Sequence, residues 1–253
     1  MILIYLAFNK KTCFEVKTMN DQIEQFILEN LLEQIENKEF TNQSIFPSEN
    51  KLAELYNVSR IKIRHVLIKL EEMGYLYSQQ GKGRFLKQHD KPIDFLLSGD
   101  VSFTEKMTQA GYRLETNNHS CEKIPYDSEL YKKLNIEQSD EVFKISRLRM
   151  IDGEPAAIHQ SYVAKSIFPQ IETEGPFIQS MFTYYQQKGF THFSSDRSHL
   201  RILFSKQEER KLLQCAPLVP LLVVETNCKD IEKSQLLEYT KIFYRSDIFT
   251  YSI

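Results

Sequence analysis

The sequence shows no excess of either charge: 32 Lys and Arg stand against 34 Asp and Glu, a formal net charge of -2. A globally basic nucleic-acid protein is excluded, so any such contact must come from a local patch. Cysteine is sparse. Cys13, Cys121, Cys215 and Cys228 are scattered without a C-x-x-C pair, which fits buried thiols of a reducing compartment better than disulfides or zinc ligands. The opening apolar run, Met1–Phe8, is too short to span a bilayer. Its lysines, Lys10 and Lys11, follow the run, whereas a secretory leader places them before it. Neither membrane insertion nor export is expected, and the cytoplasm is the expected location. Internal repeats and low-complexity segments are missing. So are a Walker-type glycine loop, a metal-spaced His/Cys/Asp cluster and a nucleophile–base pair. No metal, cofactor or catalytic residue is therefore expected.

What is present concentrates first between Ser44 and Leu86. Ser48 is placed to cap a helix running to about Tyr56, and Tyr56-Asn57-Val58 makes a turn. Ser59 is placed to cap a second helix ending near Met73, with Gly74 as its stop. Tyr75-Leu76-Tyr77 and Arg84-Phe85-Leu86 then read as strands around Gln80-Gly81-Lys82-Gly83. Helix, turn, helix and hairpin together form the pattern of a winged helix-turn-helix, a reader of duplex DNA. In the second helix Ile63, Val66, Leu67 and Leu70 make one apolar seam. Ile61, Arg64 and His65 point away from it, with Arg60 and Lys62 alongside. An exposed Ile61 suits a thymine methyl in the major groove; the plainer reading is a solvated, charged helix face. Lys51, Lys69, Lys82, Arg84 and Lys87 complete the local basic patch. Ahead of it, Asp21–Asn37 reads as a packing helix with Ile23, Phe26, Ile27, Leu31, Leu32 and Ile35 inward.

Phe46-Pro47-Ser48-Glu49, Val58-Ser59-Arg60, Arg64, Leu70-Glu71, Gly74-Tyr75-Leu76 and Gln80-Gly81-Lys82-Gly83 resemble the DNA-binding domain of the GntR family of bacterial repressors. The resemblance implies that Arg60, Arg64 and Gly81 contact DNA. The full candidate set is Ser48, Ser59, Arg60, Ile61, Lys62, Arg64, Gln80, Gly81 and Lys82. This chain has Asn50 where the family often has a basic residue, and Lys62 where a small hydroxyl residue is common.

Beyond the polar, proline-ended Lys87–Pro92, Ser102 is placed to cap a helix to Ala110. Strand-like runs follow at Arg113–Ile124, Val142–Ile151, Pro155–Ala164, His192–Phe204, Leu218–Cys228 and Gln235–Tyr244. Helical stretches at Ser128–Leu134, Phe177–Lys188 and Lys206–Cys215 separate them, and Asp152-Gly153 is a hairpin signal. The expected class is α+β with a mainly antiparallel sheet. Domain boundaries are expected as an N-terminal extension (1–18), a winged helix-turn-helix domain (19–87), a linker (88–93) and an effector domain (94–253). The extension reads as a docking segment or as a tail from an upstream start codon; the second reading, with the natural start at Met19, is the expectation.

The mixed second domain resembles the HutC branch, whose UTRA effector domain has a chorismate-lyase-like fold. Arg147 and Arg149, two apart on a strand, share a face and need an anion. Hydroxyls and N–H groups at Ser102–Thr104 make a natural cradle for it. Glu238 and Tyr244 share parity on what reads as the last strand. By resemblance to sugar-phosphate-sensing members, Ser102, Phe103, Thr104, Arg147, Arg149, Ser180, Glu238 and Tyr244 line the effector pocket, with His159 where those members have an acid. The competing reading pairs the arginines with surface acids such as Glu141 or Glu154, and leaves His159 structural. Tyr184 and Tyr185 read as core or interface. The implied function is a homodimeric repressor that binds a palindromic operator and responds to a small anion such as a phosphorylated sugar. The alternative is an enzyme in the second domain, with Glu238 as its acid–base group.

Overall fold

The computed structural model describes residues 21–40, 45–87, 93–96, 102–196 and 198–252. The expected N-terminal extension, with Cys13, and most of the expected linker lie outside them. The chain divides into two compact units, residues 1–88 and 89–253.

In the first unit α1 spans residues 21–36. Ile27, Leu28 and Leu31 are buried, but Phe26, expected inside, is 64% exposed. Five positions of about 100° each put Phe26 roughly 140° around the helix from Leu31, and Leu28 fills the inner place. Helix α2 is Glu49–Leu55, and the Ser48 hydroxyl accepts the Lys51 N–H. Helix α3 is Arg60–Glu72, with Ile63, Val66, Leu67 and Leu70 buried as the seam required. Ser59 holds the N-cap backbone conformation, yet its hydroxyl makes no capping bond, contrary to expectation. Gly74 follows at φ 85°, the left-handed stop. Strands β1 (Leu76–Gln79) and β2 (Gly83–Leu86) then pair antiparallel.

The second unit opens with β3 (Ile93–Leu96), so Ile93 sits in a strand, and α4 (Phe103–Gln109). It continues with β4 (Leu114–Lys123), α5 (Ser128–Leu134), β5 (Val142–Ile151) and β6 (Glu154–Ala164). Next come α6 (Ile171–Glu174), a 3₁₀ turn at Gly175–Phe177 and α7 (Met181–Gln187). The expected single helix over Phe177–Lys188 is thus shorter, and it starts from the Ser180 cap. The expected strand His192–Phe204 is two strands, β7 (Phe193–Ser194) and β8 (His199–Phe204). Helix α8 (Gln207–Leu213), β9 (Pro220–Asp230), β10 (Gln235–Arg245) and β11 (Phe249–Ser252) complete it.

Seven strands form one antiparallel sheet in the order β4–β5–β6–β10–β9, with β7 and β8 both pairing with β9. The turn between β5 and β6 has positive φ at both Asp152 (50°) and Gly153 (86°), the conformation that suits a two-residue hairpin. One face of the sheet packs Ile158, Leu221, Val223 and Phe243 around Leu213 of α8. Leu130, Tyr131 and Leu134 of α5 cover Val142 beside them. On the other face Phe143, Ile145 and Val163 meet Ile171, Met181, Tyr184 and Tyr185, so both tyrosines are core. Toward the opposite end of that face, Met107 of α4 packs with Ile93, Tyr244 and Phe249. Strands β3 and β11, neither foreseen, pair parallel there. Between these two clusters the face carries Arg147, Arg149 and His159, all buried.

Candidate nucleic-acid interface and anion cavity

The tip of α3 carries exposed Arg60, Ile61 and Arg64, with Ile61 64% exposed. Ser48, Ser59, Gln80, Gly81 and Lys82 are exposed too, while Lys62 is half-buried. Gly81 has φ 75° and open space around it, so the turn needs its backbone freedom. The arginines are not solitary. Arg64 donates Nε and Nη2 to the two Glu49 oxygens at 3.1 and 3.0 Å, and Arg60 Nη2 lies 3.6 Å from Glu49 Oε2. Arg84, expected in the local basic patch, is bound to Glu49 at 3.1 Å and Glu71 at 2.9 Å. Its charge therefore joins β2 to α2 and α3. His65 is exposed and meets Glu24 at 3.0 Å. The Arg64 hydrogen bond, then Arg84, hold the Glu49 carboxyl down at about 2.

In the second unit, strand register gathers the other predicted residues. Arg147 lies opposite His159, and His159 opposite Ile242. Ser161 lies opposite Thr240, which lies opposite Thr226. Cross-strand partners share a face, so these side chains line one cavity of about 130 Å³ with Ser102, Phe103, Thr104, Ser180, Glu238 and Tyr244. All nine predicted effector residues border it. The sequence reading missed Ser161, Thr226, Cys228 and Thr240; counting by twos from His159 and Glu238 would have found Ser161 and Thr240.

Arg147 and Arg149 are 4% and 1% exposed. Arg147 donates to Ser161 Oγ at 2.9 Å, and Arg149 to Gln179 O at 2.8 Å and Thr104 Oγ1 at 2.7 Å. These acceptors are neutral. The competing surface pairings do not occur: Glu141 holds Lys123 and Lys165, and Glu154 holds Arg245. Nε of Arg147, Nε of Arg149 and Nε2 of His159 are buried without a hydrogen-bond partner. Burial lowers both guanidinium groups, with Arg149, further repelled by Arg147, pushed down to about 9. Burial and then the two arginines hold His159 well below its ordinary range, hence neutral. Its ring stands edge-on to Phe103 at 4.7 Å. The Ser102 hydroxyl, at the cavity edge, accepts the Glu105 N–H at 3.1 Å as the expected helix cap. Ser180 likewise accepts from Thr183 at 3.4 Å. The cavity therefore gathers the guanidinium groups of Arg147 and Arg149, Lys106, Glu238 and a neutral imidazole. Among the described residues no His, Cys, Asp and Glu cluster could hold a metal ion.

A winged helix-turn-helix followed by a mixed domain of this topology defines a class, the DNA-binding transcriptional regulators. Family models agree: the gntR family of bacterial regulatory proteins matches residues 23–86, and the UTRA domain matches residues 109–250. The chain is 30% identical over 212 residues to the probable fructoselysine utilization operon transcriptional repressor of Escherichia coli (strain K12), covering 82% of this chain and 84% of that one. It is 27% identical over 225 residues to the HTH-type transcriptional regulator TreR of Bacillus subtilis (strain 168), covering 89% and 93%. The crystal structure of PhnF from Mycobacterium smegmatis shares the fold, with a TM-score of 0.57 at 20% identity over 85% of this chain and 95% of that one. The chain belongs to the GntR family, in its HutC branch, with a UTRA domain in its second unit. Both relatives are named as transcriptional regulators, the class to which the chain's family belongs. No helix among the described residues is long and apolar enough to cross a membrane.

Proposed function

We propose that this regulator is a homodimeric cytoplasmic repressor whose hold on a palindromic operator is changed by a small anion, a phosphorylated sugar being the preferred class. The carrying observation is the pair of guanidinium groups, each at least 96% buried, that meet only neutral acceptors. Glu238 offsets part of this charge through its field at Arg147, but buried charge that is not fully compensated costs several kcal/mol per ion, and an entering phosphate removes that cost. Glu238 and the hydroxyls of Ser161 and Thr240 suit the hydroxyl groups of a sugar. Residues 19–87 are the reader in this proposal, 88–93 the linker and 94–253 the effector domain. In the reader, Arg60, Ile61 and Arg64 meet bases and phosphates, and Ser48, Ser59, Lys62, Gln80, Gly81 and Lys82 flank them. The relative named for fructoselysine utilization fits a sugar-derived effector.

A thermal-shift screen against sugar phosphates and amino-sugar phosphates tests the reading. A ligand at a hundred times its Kd adds about 2.7 kcal/mol of apparent stability. Arg149→Ala should abolish that shift while leaving salt-dependent duplex binding intact. Loss of both activities together would move the site elsewhere.

A further inference from the structure

Glu49 is the unforeseen member of the reader face. It occupies the first turn of α2, its side chain is only 13% exposed, and three arginines converge on it. Arg84 fixes its place from β2, itself held by Glu71, which also accepts the Ser78 hydroxyl at 2.5 Å. Arg64 gives Glu49 one edge of its guanidinium, Nε and Nη2. The end-on pair, Nη1 with the outer hydrogen of Nη2, is left over. That pair has the spacing to donate to O6 and N7 of guanine in the major groove. A guanidinium clamped along one edge loses little rotational freedom when the other edge binds, and it cannot turn to suit adenine. Arg60 sits farther out at 3.6 Å with its side chain 61% exposed, so it is free to leave for a phosphate.

We infer that Glu49 is a positioning residue of the reader, orienting Arg64 so that each half-site is selected for a guanine at one position. The inference rests on the proposed role of Arg64 as a DNA contact. Selection of the full-length wild-type chain on a randomised duplex pool supplies the preferred sequence, and single guanine-to-adenine changes then measure discrimination. In Glu49→Gln, discrimination at one guanine per half-site should fall about tenfold. Affinity for random duplex should hold or rise, because one negative charge has left the face. Glu71→Gln loosens the same Arg84 clamp without touching Arg64, and it should keep the guanine preference. Unchanged discrimination in Glu49→Gln overturns the inference. So does an equal loss of all duplex binding in Glu49→Gln and Glu71→Gln, which would mark both as purely structural. A wild-type chain with no salt-dependent duplex binding overturns the reader assignment, and this inference with it.

Discussion

The cavity residues carry a charge state that the fold by itself does not favour. Replacing Arg147, which gives one hydrogen bond to Ser161, with methionine removes a buried charge and keeps most of the volume. Arg147→Met combined with Glu238→Gln, so that no buried carboxylate is left without its cation, should leave the ligand-free protein as stable as wild type or more so, by up to about 3 kcal/mol, and should erase any thermal shift from sugar phosphates. Urea unfolding with and without ligand checks both halves; a clear loss of ligand-free stability would mean the charge is already compensated. His159 gives a pH test. Its folded value lies well below the ordinary 6.5, so below about pH 6.5 the unfolded chain takes up a proton that the folded chain refuses. Stability from this group is therefore complete above that pH and declines as pH falls. His159→Gln should lose less stability than wild type between pH 7 and pH 5, read as the difference between their melting curves. Parallel curves would show that the imidazole is not held neutral.

At the scale of elements, Gly175 marks where α6 and its 3₁₀ turn press on the sheet. A Cβ there would come within 2.4 Å of the Cys121 sulfur on β4. Gly175→Ala should cost about 1–3 kcal/mol, and adding Cys121→Ala should recover part of it, a non-additivity that a double-mutant cycle measures. Additive costs would place the strain elsewhere. Elements with strong local signals were legible in the sequence. The α3 seam was fixed by 3.6-residue spacing, and the β5–β6 turn by Asp152-Gly153. Phe26 was misplaced because one helix period admits more than one apolar face. Strands β3 and β11 were missed because each has four residues and its only described partner is distant in sequence. The arginine pair of the cavity could be read from parity on one strand. Its neighbours Thr226 and Cys228 could not, since register across β9 and β10 is a tertiary fact, shifted further by the irregularity at Leu236/Glu238. The Glu49 carboxylate was hidden for the same reason, its partners being contributed by α3 and β2.

For the whole molecule, DNA recognition by a near-neutral chain must be local, and in the proposed homodimer it is paired. Binding to a palindromic duplex with half-sites one turn apart should weaken steeply with salt, with a slope near -0.9 per phosphate contact. Moving one half-site by half a turn should reduce affinity toward that of random duplex; a binder indifferent to spacing would act as a monomer. The parallel pairing of β3 with β11 sets a condition on how the second unit is made. Phe249 rests against Phe103 and Tyr244, two walls of the cavity, and its strand seals the segment that begins the unit. On the ribosome, that seal cannot form until residues 249–252 have emerged, so the arginine pair, made well before them, must wait for the strand that braces two of its walls.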